Sequence, residues 1–467
     1  MHVSSILLSV SVLALLAQCL HYGILQRVEF TKYNLFLHSR AFAYKNLFRF
    51  ESNTDTILIS ILSYFRIALM QSYARLFHLP HHKSEYLSLL YIVALIRTFV
   101  FLLLGLFLPI FILKIFLKEG FNEKSALLLV VLAFLFFQIT HGLLVTLVSK
   151  INSLFGIRAG FLIGQFFLVI FLFILFYSQN ARLLFLNFFL WGIAASFYWI
   201  SYHRFFLEVG RPKKFGEELG FLEMLGVSTG LIAPIIAGTI ITVFGFTALF
   251  VICLILILTS MLFLIFVTDI EKLESITFFD IKNEVLEKKR DFISFVGAGG
   301  EEIIYSVAWP LLLFTIFQNY IKVGIVASAV VLTAGITALI VGKLSDRIEK
   351  NKIEKIGSVS VAITFIARVF LQTPIFLYII DSLYKIFSNF FFLPLNALAY
   401  THALDENKTK YVVFRETGYR VGNVLGLASF LLILSVGFPF WWVFIFGALF
   451  SLLPMMITEK TEERKAK

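Results

Sequence analysis

Two adjacent carboxylates, Glu301 and Glu302, follow the glycine cluster Gly297-Ala298-Gly299-Gly300 and precede Tyr305 and Trp309 inside an apolar run. A carboxylate held within a membrane costs about 2.5–3.5 kcal/mol on insertion scales, so it persists where it meets a partner or a water-filled path. A carboxylate that loads and releases a proton is what a proton-coupling site requires. The glycines would let the helix unwind beside the acids. Alternatively, the helix starts late and both acids sit at its lip.

A second group comprises Asp381, Tyr384, Lys385 and Asn389, whose offsets place them on one helical face. Asp381 and Lys385 can pair and so lower the cost of both, as a fixed structural pair or as one that opens in operation. Trp191, Tyr198 and Tyr202 recur at helical spacing and form a stripe suited to a flat or cationic solute, or to packing between helices. Arg97 is expected to snorkel to the membrane boundary, the alternative being that it points inward into a cavity. Arg415, Glu416 and Arg420 precede Gly422 and Gly426 beside a polar loop. They suit a gating network with the loop motifs of another part of the chain, or a solvated helix start.

The elements that position these groups follow from composition. Of 467 residues 59% are hydrophobic and 15% charged, against about 25% charged in soluble domains. Lipid must therefore be the solvent for most of the chain. Apolar runs long enough to cross a bilayer recur at about 89–113, 125–148, 156–178, 181–203, 219–241 and 245–268. Six more follow at about 292–317, 322–342, 354–371, 374–400, 412–436 and 439–458. Lipid leaves only helices or closed barrels, and these unalternating runs are not barrel strands. The expectation is an all-α polytopic protein of about twelve transmembrane helices.

Cations mark the sides. Lys150 and Arg158, then Arg204, Arg211, Lys213 and Lys214, then Lys343, Arg347, Lys350, Lys352 and Lys355 all fall on alternate connections of the same side. The positive-inside rule makes that side, and both ends of the bundle, cytoplasmic. The charged stretch 269–291 reads as a cytoplasmic linker between an N-terminal bundle, 85–268, and a C-terminal bundle, 292–458, with a charged tail at 459–467. Residues 1–84 form an extension with a short apolar segment, Ser5 to Leu20, and an amphipathic one, Thr56 to Leu79. The net charge of +11 lies at the ends of apolar runs and not on one basic face, which speaks against a nucleic-acid partner. Cys19 and Cys253 offer neither a disulfide framework nor metal-ligand spacing, and no cofactor is expected.

Gly342-Lys343-Leu344-Ser345-Asp346-Arg347-Ile348-Glu349-Lys350 resembles the loop motif G-x-L-a-D-r-x-G-r-k of the major facilitator superfamily. It matches at Gly342, Leu344, Asp346, Arg347 and Lys350 and departs at Glu349. The corresponding first-half loop, Ser149 to Arg158, is degenerate, with Ser153 in the acid's place. Gly220, Thr229, Ala233, Pro234, Ala237 and Gly238 fall at the spacing of the family's fifth-helix motif G-x8-G-x3-G-P-x2-G-G. That motif is commonest among proton-exchanging exporters. The resemblance implies two pseudo-symmetric six-helix bundles that alternate access around a cavity lined by the first, fourth, seventh and tenth helices. On it the cavity residues are Trp191, Tyr198, Tyr202, Tyr305, Trp309, Tyr384 and Asn389, and Glu301, Glu302, Asp381 and Lys385 couple protons.

The implied function is proton-coupled transport of a small solute across a prokaryotic cytoplasmic membrane, with export favoured. The alternative is a transporter-like receptor or assembly factor. A polytopic membrane enzyme would need a nucleophile, metal or phosphate-binding constellation that the sequence does not display.

Overall fold

The structure, a computed structural model, describes residues 81–177, 180–264, 267 and 274–458. The expectations for the N-terminal segments up to residue 80 and for the 459–467 tail lie outside these residues. Every regular element among the described residues is helical.

In chain order the helices are α1 (His81–Gly105), α2 (Leu108–Lys118), α3 (Glu123–Tyr177), α4 (Ala181–Val209), α5 (Phe215–Gly230) and α6 (Ala233–Leu264). There follow α7 (Phe278–Glu287), α8 (Lys289–Phe317), α9 (Tyr320–Ser345), α10 (Lys350–Phe370), α11 (Pro374–Leu404), α12 (Lys408–Val436) and α13 (Val443–Leu452). Short polar side chains start several of them. Asn180, Asn319 and Asn407 each accept a backbone N–H of the first turn, and Thr277 with Asp280 makes a capping box on α7.

Two helices are too long for one crossing. At 1.5 Å per residue α3 would run about 82 Å, far beyond a bilayer core of about 30 Å. Gly156 breaks it with φ 86° and ψ 167°, a conformation that L side chains avoid. The chain folds back there, because Phe137 and Phe171 both stack on Trp191, with ring centroids 4.0 and 5.1 Å away. Gly245, at φ 80°, does the same in α6. Thr98 lies 3.5 Å from where a Cβ on Gly226 would be, while the adjacent Arg97 reaches Ser260 of the returning arm through Gln165.

Counted so, the described residues make twelve passes. The first is α1 with α2, the second and third are the arms of α3, and the fourth is α4. The fifth is α5 with the first arm of α6, and the sixth is the second arm. Passes seven to eleven are α8 to α12 in order, and α13 with its flanking 3-10 turns is the twelfth. Large apolar side chains cover the outside as well as the core: Leu143 is 75% exposed, Phe244 73% and Leu332 63%. Only a lipid solvent tolerates that surface.

The first six passes and the last six meet along an antiparallel seam between the fifth and eighth. A Cβ on Gly220 would lie 2.8 Å from the Ala338 carbonyl oxygen, and one on Gly238 2.4 Å from that of Tyr320. One on Gly324 would lie 2.3 Å from the Pro234 oxygen. Small residues here let the two backbones touch, as in membrane helix pairs generally. Helix α7 sits on the second half, its Glu284 paired with both Lys288 and Lys410. Phe278 and Phe279 point outward from its start, 75% and 66% exposed.

Candidate functional site

The seventh pass carries Glu301 deep inside. Helix α8 begins at Lys289, and Glu301 is fully buried, which rules out the lip reading. The glycines do not unwind the helix as expected. It runs unbroken to Phe317, and they bring neighbours close: a Cβ on Gly299 would lie 2.2 Å from the Tyr419 oxygen and one on Gly300 2.4 Å from the Phe450 ring.

Around Glu301 the second half builds a compact polar core. Tyr384 Oη donates to Glu301 Oε1 at 2.8 Å, and Glu301 Oε2 has no hydrogen-bond partner among the described residues. Tyr305 donates to Asp381 at 3.1 Å and stacks on Tyr384 at 4.2 Å. Asp381 pairs with Arg368 of the ninth pass at 2.8 Å, which corrects the expected pairing with Lys385. The fully buried Arg368 lies over the rings of Tyr384 (4.4 Å) and Trp309 (4.7 Å). Lys385 instead lies over the Tyr305 ring at 4.8 Å, half-buried. Asn389 departs from this face, donating to Thr337 of the eighth pass at 2.8 Å.

Glu302, one residue on, points elsewhere: it is exposed, and the charges acting on it are Arg420, Glu416 and Arg415. Glu223 of the fifth pass is likewise exposed, with Lys385 of the opposite half as the charge acting on it. Sequence reading passed over both Glu223 and Arg368. Glu223 was visible as the one acid amid the apolar run 219–241, and Arg368 as a cation near the end of the run 354–371.

The first half has a cation where the second has acids. Arg97 is 3% exposed and does not snorkel. Its guanidinium lies 3.5 Å from the centroid of the Tyr198 ring and donates to Gln165 at 2.7 Å, and Gln165 donates to Ser260 at 2.6 Å. Partners on the third, fourth and sixth passes thus hold it inside the bundle. The aromatic stripe separates. Trp191 is packed among Phe101, Phe134, Phe137, Phe171 and Phe188. Tyr198 stacks on the buried Tyr202 at 5.8 Å. Trp199, outside the stripe, is 38% exposed and stacks on His203 at 5.4 Å.

His203 turns that face of the fourth pass toward the second half. Its Nδ1 lies 2.6 Å from Tyr400 Oη, and its Nε2 lies 2.9 Å from Arg415 and 3.3 Å from Glu416. Arg415 also donates to Glu416 at 2.7 Å and to Asn396 at 2.6 Å. Arg420 donates to Gln138 of the second pass at 2.9 Å and approaches Glu416 to 3.6 Å. Arg415 and Glu416 are buried, so the solvated-start reading fails. The expected partners are also corrected, since this network joins helix side chains of the other half and not its loop motifs.

The loop motif has its own partner. Asp346 accepts from the backbone N–H groups of Gly216 (3.0 Å) and Glu217 (2.8 Å), capping α5 across the halves. Gly342 lies against Gly216 and Gly220, and Leu344 packs beside Ala338 and Val341. Lys408 and Glu208 add a cross-half pair at 3.1 Å. At the opposite end Lys114 lies over the rings of Tyr320 (4.6 Å) and Phe314 (5.2 Å). No group of metal-ligating side chains occurs among the described residues.

Comparison with known proteins places this architecture. The human organic anion transporter MFSD10 (TETRAN) superposes with a TM-score of 0.63 at 12% identity, over 81% of this chain and 99% of its own. FucP, a major facilitator transporter in its outward conformation, gives a TM-score of 0.59 at 12% identity, over 79% and 96%. A variant of the E. coli fucose:proton symporter FucP gives 0.58 at 13%, over the same shares. No curated protein matches by sequence. The sequence pattern of the Major Facilitator Superfamily matches residues 90–290 and 291–467, one copy for each half, and the chain belongs to that superfamily.

Proposed function

We propose that the protein moves a small solute across the cytoplasmic membrane by alternating access, coupled to protons, with export the direction that the fifth-pass motif favours. Both ends of the bundle are cytoplasmic on this reading, which rests on the alternation of Lys and Arg between connections. The reading gets its coupling group from one observation. A fully buried carboxylate, Glu301, has one oxygen on Tyr384 and the other without a partner among the described residues, next to the Arg368–Asp381 pair. Such an acid can take a proton without leaving its site, and Tyr305 and Tyr384 connect it to Asp381 and Lys385. The solute then lies between the halves, among Glu223, Glu302, Lys385 and Trp199. FucP is a fucose:proton symporter, so proton coupling is compatible with this fold.

A ligand screen by thermal stabilisation, followed by flux in proteoliposomes under an imposed pH gradient, tests the proposal. Proton movement dependent on a stabilising solute supports it. Glu301→Gln should abolish gradient-driven accumulation and retain solute exchange. Binding without flux in tight, oriented vesicles would favour the receptor-like reading instead.

A further inference from the structure

A groove of roughly 350 Å³ opens where the halves meet at the end rich in lysine and arginine, lined by Lys213, Lys214, Glu217, Lys343, Asp346 and Arg347. Its acids are already engaged. Asp346 accepts two backbone N–H groups of α5, and Glu217 pairs with Lys214 at 3.1 Å. Lys213, Lys343 and Arg347 have no carboxylate within ion-pair distance among the described residues. Four cations against two carboxylates, from two halves, therefore share one concave site with a net charge of +2, which calls for an anion with several acceptor oxygens.

The surroundings select the source of that anion. Ile325, Leu332 and Ile340 recur at helical spacing along the outer face of α9, 49%, 63% and 56% exposed. Lys343 lies one turn beyond Ile340 on the same face, and the exposed Ile348 follows the loop. The cations thus stand at the head of an apolar strip that only lipid covers.

We propose that this groove binds the phosphate-bearing headgroup of an anionic phospholipid, with its acyl chains along Ile340 and Leu332, and that the lipid braces the contact between the halves. This does not depend on the solute or on proton coupling.

The test is titration of short-chain phosphatidylglycerol into the purified full chain in detergent, read by the thermal unfolding midpoint. Short-chain phosphatidylcholine and inorganic phosphate are the comparison probes. Phosphatidylglycerol should stabilise the protein saturably and the other two should not. Each cation removed should weaken binding about fivefold, so the triple variant Lys213→Gln, Lys343→Gln, Arg347→Gln should lose about a hundredfold. The matched variant Lys118→Gln, Lys124→Gln, Arg182→Gln, at the opposite end, should bind as the wild type does. Should the triple variant fail to fold, Lys343→Gln alone, at an exposed position, carries the test through its fivefold loss. Equal stabilisation by phosphatidylcholine, or full binding by the altered groove, would overturn the site. Stabilisation by inorganic phosphate at the same concentration would overturn the lipid as its occupant.

Discussion

Arg368 shows how one side chain decides what a buried cluster can do. With it, Asp381 is a paired carboxylate under a roof of aromatic rings; without it, Asp381 is an isolated charge in a low-dielectric core. Removing one partner of a buried pair costs about 3–5 kcal/mol, whereas replacing both by apolar groups is often near neutral. Arg368→Leu should therefore lower the unfolding midpoint sharply in detergent, and Arg368→Leu with Asp381→Leu should recover most of the loss. If the double variant is no more stable than the single, the cluster is held by its rings and not by the pair. The acids and aromatic residues of this cluster were legible in the sequence because their types are costly or conspicuous in an apolar run. The arginines were not. Arg97 and Arg368 both lie within reach of a run's end, where a long side chain can climb to the interface or turn inward. Only the partners decide: Gln165 and Tyr198 for one, Asp381 and Tyr384 for the other.

Among the helices, the fifth pass has the most exacting role. Its small residues were legible as a motif, and the sequence also placed breaks near Gly156 and Gly245, where the helices fold back. What the sequence withheld was the partner, because small residues state only that something comes close. The partner is the backbone of the eighth pass, so Gly238→Val must drive a side chain into the Tyr320 carbonyl. Overpacking of this kind costs about 1–3 kcal/mol. Gly226→Ala, on the same pass but 3.5 Å from its nearest neighbour, should be tolerated. Paired unfolding and transport measurements on the two variants check this. If both are equally damaging, helix flexibility and not the seam is what the glycines supply. The linker helix α7 makes a separate prediction. Burial pushes the Glu284 carboxyl up, but Lys288 and Lys410 hold it below its ordinary value of 4.5. A carboxyl lowered on docking contributes stability that is fully present above pH 4.5 and is lost as the pH falls through the lower, docked value. Hydrogen exchange across 278–287 should accelerate over that window in the wild type, and Glu284→Gln should flatten the profile.

For the whole molecule, the two six-pass halves rock only if the contacts between them can be exchanged at modest cost. At the end rich in lysine and arginine they are joined by the Asp346 cap on α5, by Lys408 with Glu208, and by the His203, Tyr400, Arg415 and Glu416 network. The halves are unlike in this respect. The second-half loop has an acid to cap the first half, whereas the first-half loop has Ser153, whose hydroxyl turns back to its own chain at Lys150. Closure of this end therefore leans on Asp346. A charge-assisted bond contributes about 1.5–3 kcal/mol, and Asp346→Asn keeps an acceptor while losing the charge, so about 1.4 kcal/mol of closure should go. That loss shifts the ratio of closed to open forms about tenfold. Spin labels at Pro212→Cys and Ile348→Cys, exposed positions on either side of the contact, report it once Cys19 and Cys253 are replaced by serine. The wild type should give a short, narrow distance distribution, and Asp346→Asn should add a longer component that Ser153→Asn does not. An unchanged distribution would mean that the Lys408–Glu208 pair and the buried network around Glu416 hold this end shut without Asp346, and Glu416→Gln with Lys408→Gln would then be the variant that opens it.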